Sequence, residues 1–197
     1  MLLSSTKQFV YWHIPKTAGI SIRALLEQYA TTAVVDYMPL VDSIADPLHI
    51  NQQDFLKMNL AQIPNNYFEF VVVRNPLDRL ASMYNYGNNI ERFGSFSNFA
   101  QRVAMHYHYP TMSNFYNSQL DWIKNPITDR LRIYKLETLD KNLSEMCTKI
   151  NIDNQPLMHY NKSINVTDKL TAREVEFCRD FLAEEYEILN YQGEVNE

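Results

Sequence analysis

Two stretches of this chain carry residue types that hold phosphate. The first reads His13-Ile14-Pro15-Lys16-Thr17-Ala18-Gly19-Ile20-Ser21, with an apolar run before it and a helical pattern after it. Gly19 allows the backbone to come close to a ligand. The N–H groups of Ala18, Gly19 and Ile20 open the helix, where unbonded amides and the helix dipole favour an anion. Lys16 adds a full positive charge, and Thr17 and Ser21 add hydroxyls. A Walker A loop is excluded, because it places its lysine after the glycines; here the lysine comes first and a single glycine follows. In the second stretch, Arg74 ends the apolar run 68–73, Asn75-Pro76 opens a helix, and Ser82 follows on that helix. Arginine suits bidentate contact with phosphate. Asp78, four residues on, is the alternative partner for Arg74.

A group that takes a proton near neutral pH is the third chemical requirement. The candidates are His13, His49, His106, His108 and His159, together with carboxylates. His13 falls at a strand end and reads as structural. His106-Tyr107-His108 has the look of a metal pair but lacks a third ligand, so no metal site is expected.

The first motif resembles the 5′-phosphosulfate-binding loop of the carbohydrate sulfotransferases, which include heparan sulfate 2-O- and 6-O-sulfotransferases and small bacterial relatives. The run Val71-Val72-Val73-Arg74-Asn75-Pro76 with Ser82 resembles that family's 3′-phosphate motif. The resemblance implies a co-substrate, 3′-phosphoadenosine 5′-phosphosulfate (PAPS), and a hydroxyl acceptor, a saccharide first of all. On this reading Lys16, Thr17, Ala18, Gly19, Ile20 and Ser21 cradle the 5′ end, while Arg74 and Ser82 hold the 3′-phosphate. Asn161-Lys162-Ser163 resembles the late loop that closes over that phosphate, and His49 stands where the family has its catalytic histidine. Ile20 departs from the pattern, which commonly has threonine there. Gln119-Leu120-Asp121-Trp122-Ile123 and 134–139 resemble looser landmarks, and Glu185 stands where an aspartate is common. A kinase-like enzyme and a binder without turnover are the alternative readings.

These groups need a scaffold. Runs at 9–14, 33–37, 68–73 and 131–134 read as strands. Helical spacing covers 20–29, 52–59, the segment opened by Asn75-Pro76, the segment opened by Ser95, 139–150 and a last long helix opened by Thr171 and Glu174. Strand and helix alternate, which predicts one α/β domain over 1–197: a P-loop-like central parallel sheet flanked by helices. Ligands of such sheets bind beyond the carboxyl ends of the strands, where both phosphate motifs fall.

The 197 residues suit one core, and a 46% hydrophobic, 21% charged composition is that of a globular chain. The net charge of −5 argues against a general nucleic-acid binder. No run reaches membrane-spanning length, and the start is too short and polar for a signal peptide. A cytoplasmic setting is therefore expected, with the sequons at Asn142, Asn161 and Asn165 unused and with Cys147 and Cys178 as buried thiols on helical stripes.

Overall fold

The computed structural model describes residues 1–33, 47–57, 63–124, 129–158 and 170–191. Its strands are β1 (Leu2–Ser4), β2 (Phe9–Trp12), β3 (Thr32–Ala33), β4 (Phe68–Val73) and β5 (Arg132–Lys135), in one sheet ordered β3-β1-β2-β4-β5. β2, β4 and β5 are parallel; β1 and β3 add an antiparallel edge. The parallel sheet of the α/β expectation is therefore its central part. The antiparallel edge differs from that expectation: 2–4 is too short to show alternation, and it forms because a tight turn returns it onto β2, with Leu2 opposite Tyr11.

The helices are α1 (Gly19–Leu26), α2 (Gln52–Lys57), α3 (Pro76–Tyr84), α4 (Asn89–Phe93), α5 (Phe96–His108), α6 (Leu139–Lys149), α7 (Ala172–Phe181) and α8 (Ala183–Ile188). Asn75 caps α3 through its side chain, with Pro76 at the first helical position, and Ser95 caps α5. Thr171 and Glu174 form the capping box of α7. The last helix breaks in two at Leu182, and Val175 is only half-buried while Cys178 and Leu182 are fully enclosed. The expected strand 33–37 reaches Ala33 and then enters residues outside the described set.

Period-two alternation sends alternate strand residues to opposite faces. Phe9, Tyr11, Phe70, Val72 and Tyr134 meet Ile22, Leu25 and Leu26 of α1 and Leu143, Met146 and Cys147 of α6. On the other face Val10, Trp12, Val71 and Val73 meet Phe55 of α2, Trp122 and Leu189. Both faces are covered, so β4 reads as an uninterrupted apolar run save Glu69, which is buried and accepts the Trp12 indole N–H at 3.0 Å. A third cluster joins α3, α5 and α7 through Leu80, Met83, Phe99, Val103, Cys178 and Leu182. Cys147 and Cys178 are free buried thiols, and burial pushes the Cys178 thiol up to about 12.

Phe70 touches Phe9, Tyr11, Phe68 and Tyr134 with its ring. Phe70→Ala is expected to cost about 3–5 kcal/mol of stability, read as a lowered midpoint in urea unfolding followed by circular dichroism.

Candidate functional site

β2 and β4 are neighbours in parallel, with Trp12 opposite Val71, so their carboxyl ends deliver the Lys16 turn and Arg74 side by side. Lys16 and Ala18 both take positive φ, at 67° and 64°. Alternation of that kind turns successive N–H groups toward one concavity. α1 starts there with Ala18 as its N-cap, which has no side chain to bond the first helical amides. The Thr17 hydroxyl is fully buried and donates to the Ile14 carbonyl at 2.9 Å. It braces the turn from within. Ser21 and Ser82 are buried at the same end of the sheet, and Ile20 is 54% exposed.

Gly19 also makes room for a neighbouring side chain. A Cβ there would lie 1.5 Å from Nε2 of His13, so the imidazole fills the space that the missing side chain leaves. His13 is buried, and desolvation, then the neighbouring His49, holds its pKa well below the usual histidine range; it stays neutral. The His49 ring packs edge-on against His13 at 4.4 Å between centroids. His49 Nδ1 lies 3.3 Å from the His13 carbonyl oxygen. A carbonyl can only accept, so Nδ1 is the donor of this pair; in the neutral imidazole the lone pair is then on Nε2. The structure thus sets His49, from a segment far along the chain, one ring away from the phosphate turn.

Lys16 Nζ sits 4.2 Å from the centroid of the Tyr86 ring. Desolvation, then the charge of Arg74, lowers the Lys16 pKa. Arg74 is itself pulled down by desolvation, against which Asp78, Glu137 and Tyr191 act. Its peptide is held at both ends by Gln119, whose Oε1 accepts the Arg74 N–H and whose Nε2 donates to the Arg74 carbonyl, each at 2.9 Å. Glu185, buried, orients that amide by accepting from Gln119 Nε2 at 2.9 Å and from the Gln119 N–H at 3.0 Å; Ser118 and Tyr107 hydroxyls donate to it as well. A buried carboxylate with four donors is well compensated.

Arg79 was given no role by the sequence. Its guanidinium is 2% exposed, donating Nε–H to the Pro15 carbonyl at 2.9 Å and Nη2–H to the Asn117 carbonyl at 3.0 Å. It ties the helix of the second motif to the turn of the first. Arg79 and Ser82 are three apart on α3 and so share a side; that spacing was the available signal. His106, one of the candidate bases, has its ring engaged: Nδ1 accepts the N–H groups of Thr111 and Met112 and Nε2 bonds Asn117 Oδ1. Both nitrogens are engaged, which also removes the metal pair with His108. Among the described residues no group of three or more His, Cys, Asp or Glu could hold a metal ion. Likewise no helix among them is long and apolar enough to cross a membrane. His159, Asn161, Lys162 and Ser163 lie outside the described residues.

The Gly19 contact gives a direct test. Gly19→Ala is expected to cost about 1–3 kcal/mol, as overpacking does. Adding His13→Ala should return part of that loss, so a double-mutant cycle on thermal or urea unfolding should show coupling between the two sites.

No curated protein matches the chain. Residues 1–176, a span that holds both phosphate motifs, match the model of the sulfotransferase family, and the chain belongs to that family.

Proposed function

We propose that this protein moves a sulfuryl group from PAPS to the hydroxyl of an acceptor, a saccharide in the first instance. The observation that carries the reading is the pair of partly desolvated cations, Lys16 and Arg74, at the carboxyl ends of adjacent parallel strands. Arg74 makes the charge of Lys16 costlier, and an anion beside the lysine relieves that cost. PAPS offers a phosphosulfate at one end and a 3′-phosphate at the other. The amides of Ala18, Gly19 and Ile20 with Lys16 and Ser21 suit the first; Arg74 and Ser82 suit the second. Thr17 contributes its amide, and Asn161, Lys162 and Ser163 complete the 3′ side on the family resemblance.

In this scheme the acceptor oxygen attacks sulfur in line with the departing phosphate oxygen. Lys16 meets the charge that grows on the leaving oxygen, and Nε2 of His49 takes the acceptor's proton. Positioning and electrostatics carry most of such a transfer.

The 3′-phosphate site predicts that PAP, the desulfonated product, binds more tightly than AMP. Loss of one charged contact is worth about 1.5–3 kcal/mol. Equal affinities by calorimetry would remove Arg74 and Ser82 from the site and PAPS from the assignment.

Lys16 and His49 should separate in kinetics. Lys16→Ala is expected to lower kcat more than PAP affinity, because its contact strengthens in the transition state. Its lowered pKa means that it loses its proton at a lower pH than an ordinary lysine. The alkaline limb of kcat/KM should therefore fall early, and Lys16→Arg should move it upward. His49→Ala should cost about 10²–10⁴-fold in rate, leave PAP binding nearly intact, and harm an alcohol acceptor more than an acidic phenol. Retained turnover of the alcohol would assign the base elsewhere.

A further inference from the structure

Lys16 and His49 are joined by a row of rings. The Lys16 ammonium rests on Tyr86, Tyr86 stacks on Phe115 at 5.3 Å and 27° between planes, and Phe115 meets the His49 ring at 5.7 Å and 68°. Hydrogen bonds tie together the segments that carry these rings. Asn114 Nδ2 donates to the His49 carbonyl at 3.1 Å, which pins the turn carrying Phe115 to the histidine. Tyr116 donates to Asn89 Oδ1 at 2.9 Å, and Asn89 Nδ2 donates to the Met83 carbonyl at 2.8 Å, which pins the same turn to the end of α3 from which Tyr86 projects. Tyr86 is 54% exposed all the same. A lone exposed aromatic is ordinary. This one touches Lys16 and leads by one ring to the histidine.

We propose that the Tyr86–Phe115 stack is the acceptor subsite, and that it receives the flat, uncharged face of a ring bearing the hydroxyl to be sulfated. This rests on the sulfuryl-transfer reading above and adds the acceptor's chemistry to it. Lys16 and Phe115 both lie against the Tyr86 ring; the face that Lys16 leaves when it turns to the donor is electron-rich and attracts the slightly positive C–H face of a sugar or the edge of another ring. The side chains of the stack carry no charge. A carboxylate or sulfate on the stacked ring would compete with the donor for Lys16. An acceptor lying along the row keeps its hydroxyl within the span that ends at Lys16 on one side and His49 on the other. Pyranosides and phenols both present such a ring.

The test is steady-state kinetics with PAPS for the wild type, Tyr86→Leu and Tyr86→Phe. The acceptors are methyl β-glucoside, methyl β-glucuronide and 2-naphthol, with PAP affinity measured on each variant by calorimetry. The expected result is preference for glucoside or naphthol over glucuronide, acceptor KM raised about 10-fold in Tyr86→Leu, recovery in Tyr86→Phe, and PAP affinity within about 2-fold throughout. Transfer with an unchanged acceptor KM in Tyr86→Leu, preference for the glucuronide, or PAP binding with transfer to none of the three overturns the subsite while leaving the donor reading standing. Failure to bind PAP at all overturns the sulfuryl-transfer reading and the subsite with it.

Discussion

The parallel hydrogen-bonded pairing of β2 with β4 is the constraint on which the rest of the site depends. Parallel pairing in register brings two strand ends that are far apart in sequence to one edge of the sheet. The chain must leave each strand there, and it leaves each by a turn into a helix, α1 and α3. Amides and a cation come with each turn: Lys16 in one, Arg74 in the other. Had the pairing been antiparallel, the two positive ends would lie on opposite sides of the molecule. Burial on both faces holds the pairing, since Phe70 and Val72 face one core and Val71 and Val73 the other.

Two cations in partly desolvated surroundings are costly, and the protein stabilises the arrangement through its backbone. Arg79 donates to the Pro15 carbonyl, and Gln119, itself oriented by Glu185, brackets the peptide of Arg74. Neither device neutralises Lys16. Both fix where the cations begin. The buried polar groups that do this work are satisfied by several partners each, as groups removed from water must be. Loss of one such partner would leave orphaned donors or acceptors near the site, so these side chains act on function through geometry.

The His13, Gly19 and His49 cluster carries the same logic into the core. A neutral imidazole occupies the space that a glycine leaves in the first turn of α1, and the carbonyl of that same His13 fixes the tautomer of His49. The backbone of the phosphate turn and the candidate base are in this way parts of one packed unit, extended outward by Phe115 and Tyr86.

Local chemistry was legible in the sequence because it is written in short range. The strand Phe68–Val73, the Asn75 and Pro76 start of α3, the Ser95 cap, and the Thr171 and Glu174 capping box depend on residues within a turn or two of one another. The α/β class followed from the alternation of such elements. Only the tertiary structure decided what long-range packing controls. It added the β1 edge by folding a short segment back on β2, and broke the last helix at Leu182. It turned the Thr17 hydroxyl inward, gave Gly19 to His13, and recruited Arg79 and Gln119 as braces. It engaged both nitrogens of His106 and set His49 beside the turn. Partners of that kind are separated by tens of residues, and no local propensity or spacing encodes which of several equally polar side chains will meet; the packing of the sheet against its helices does.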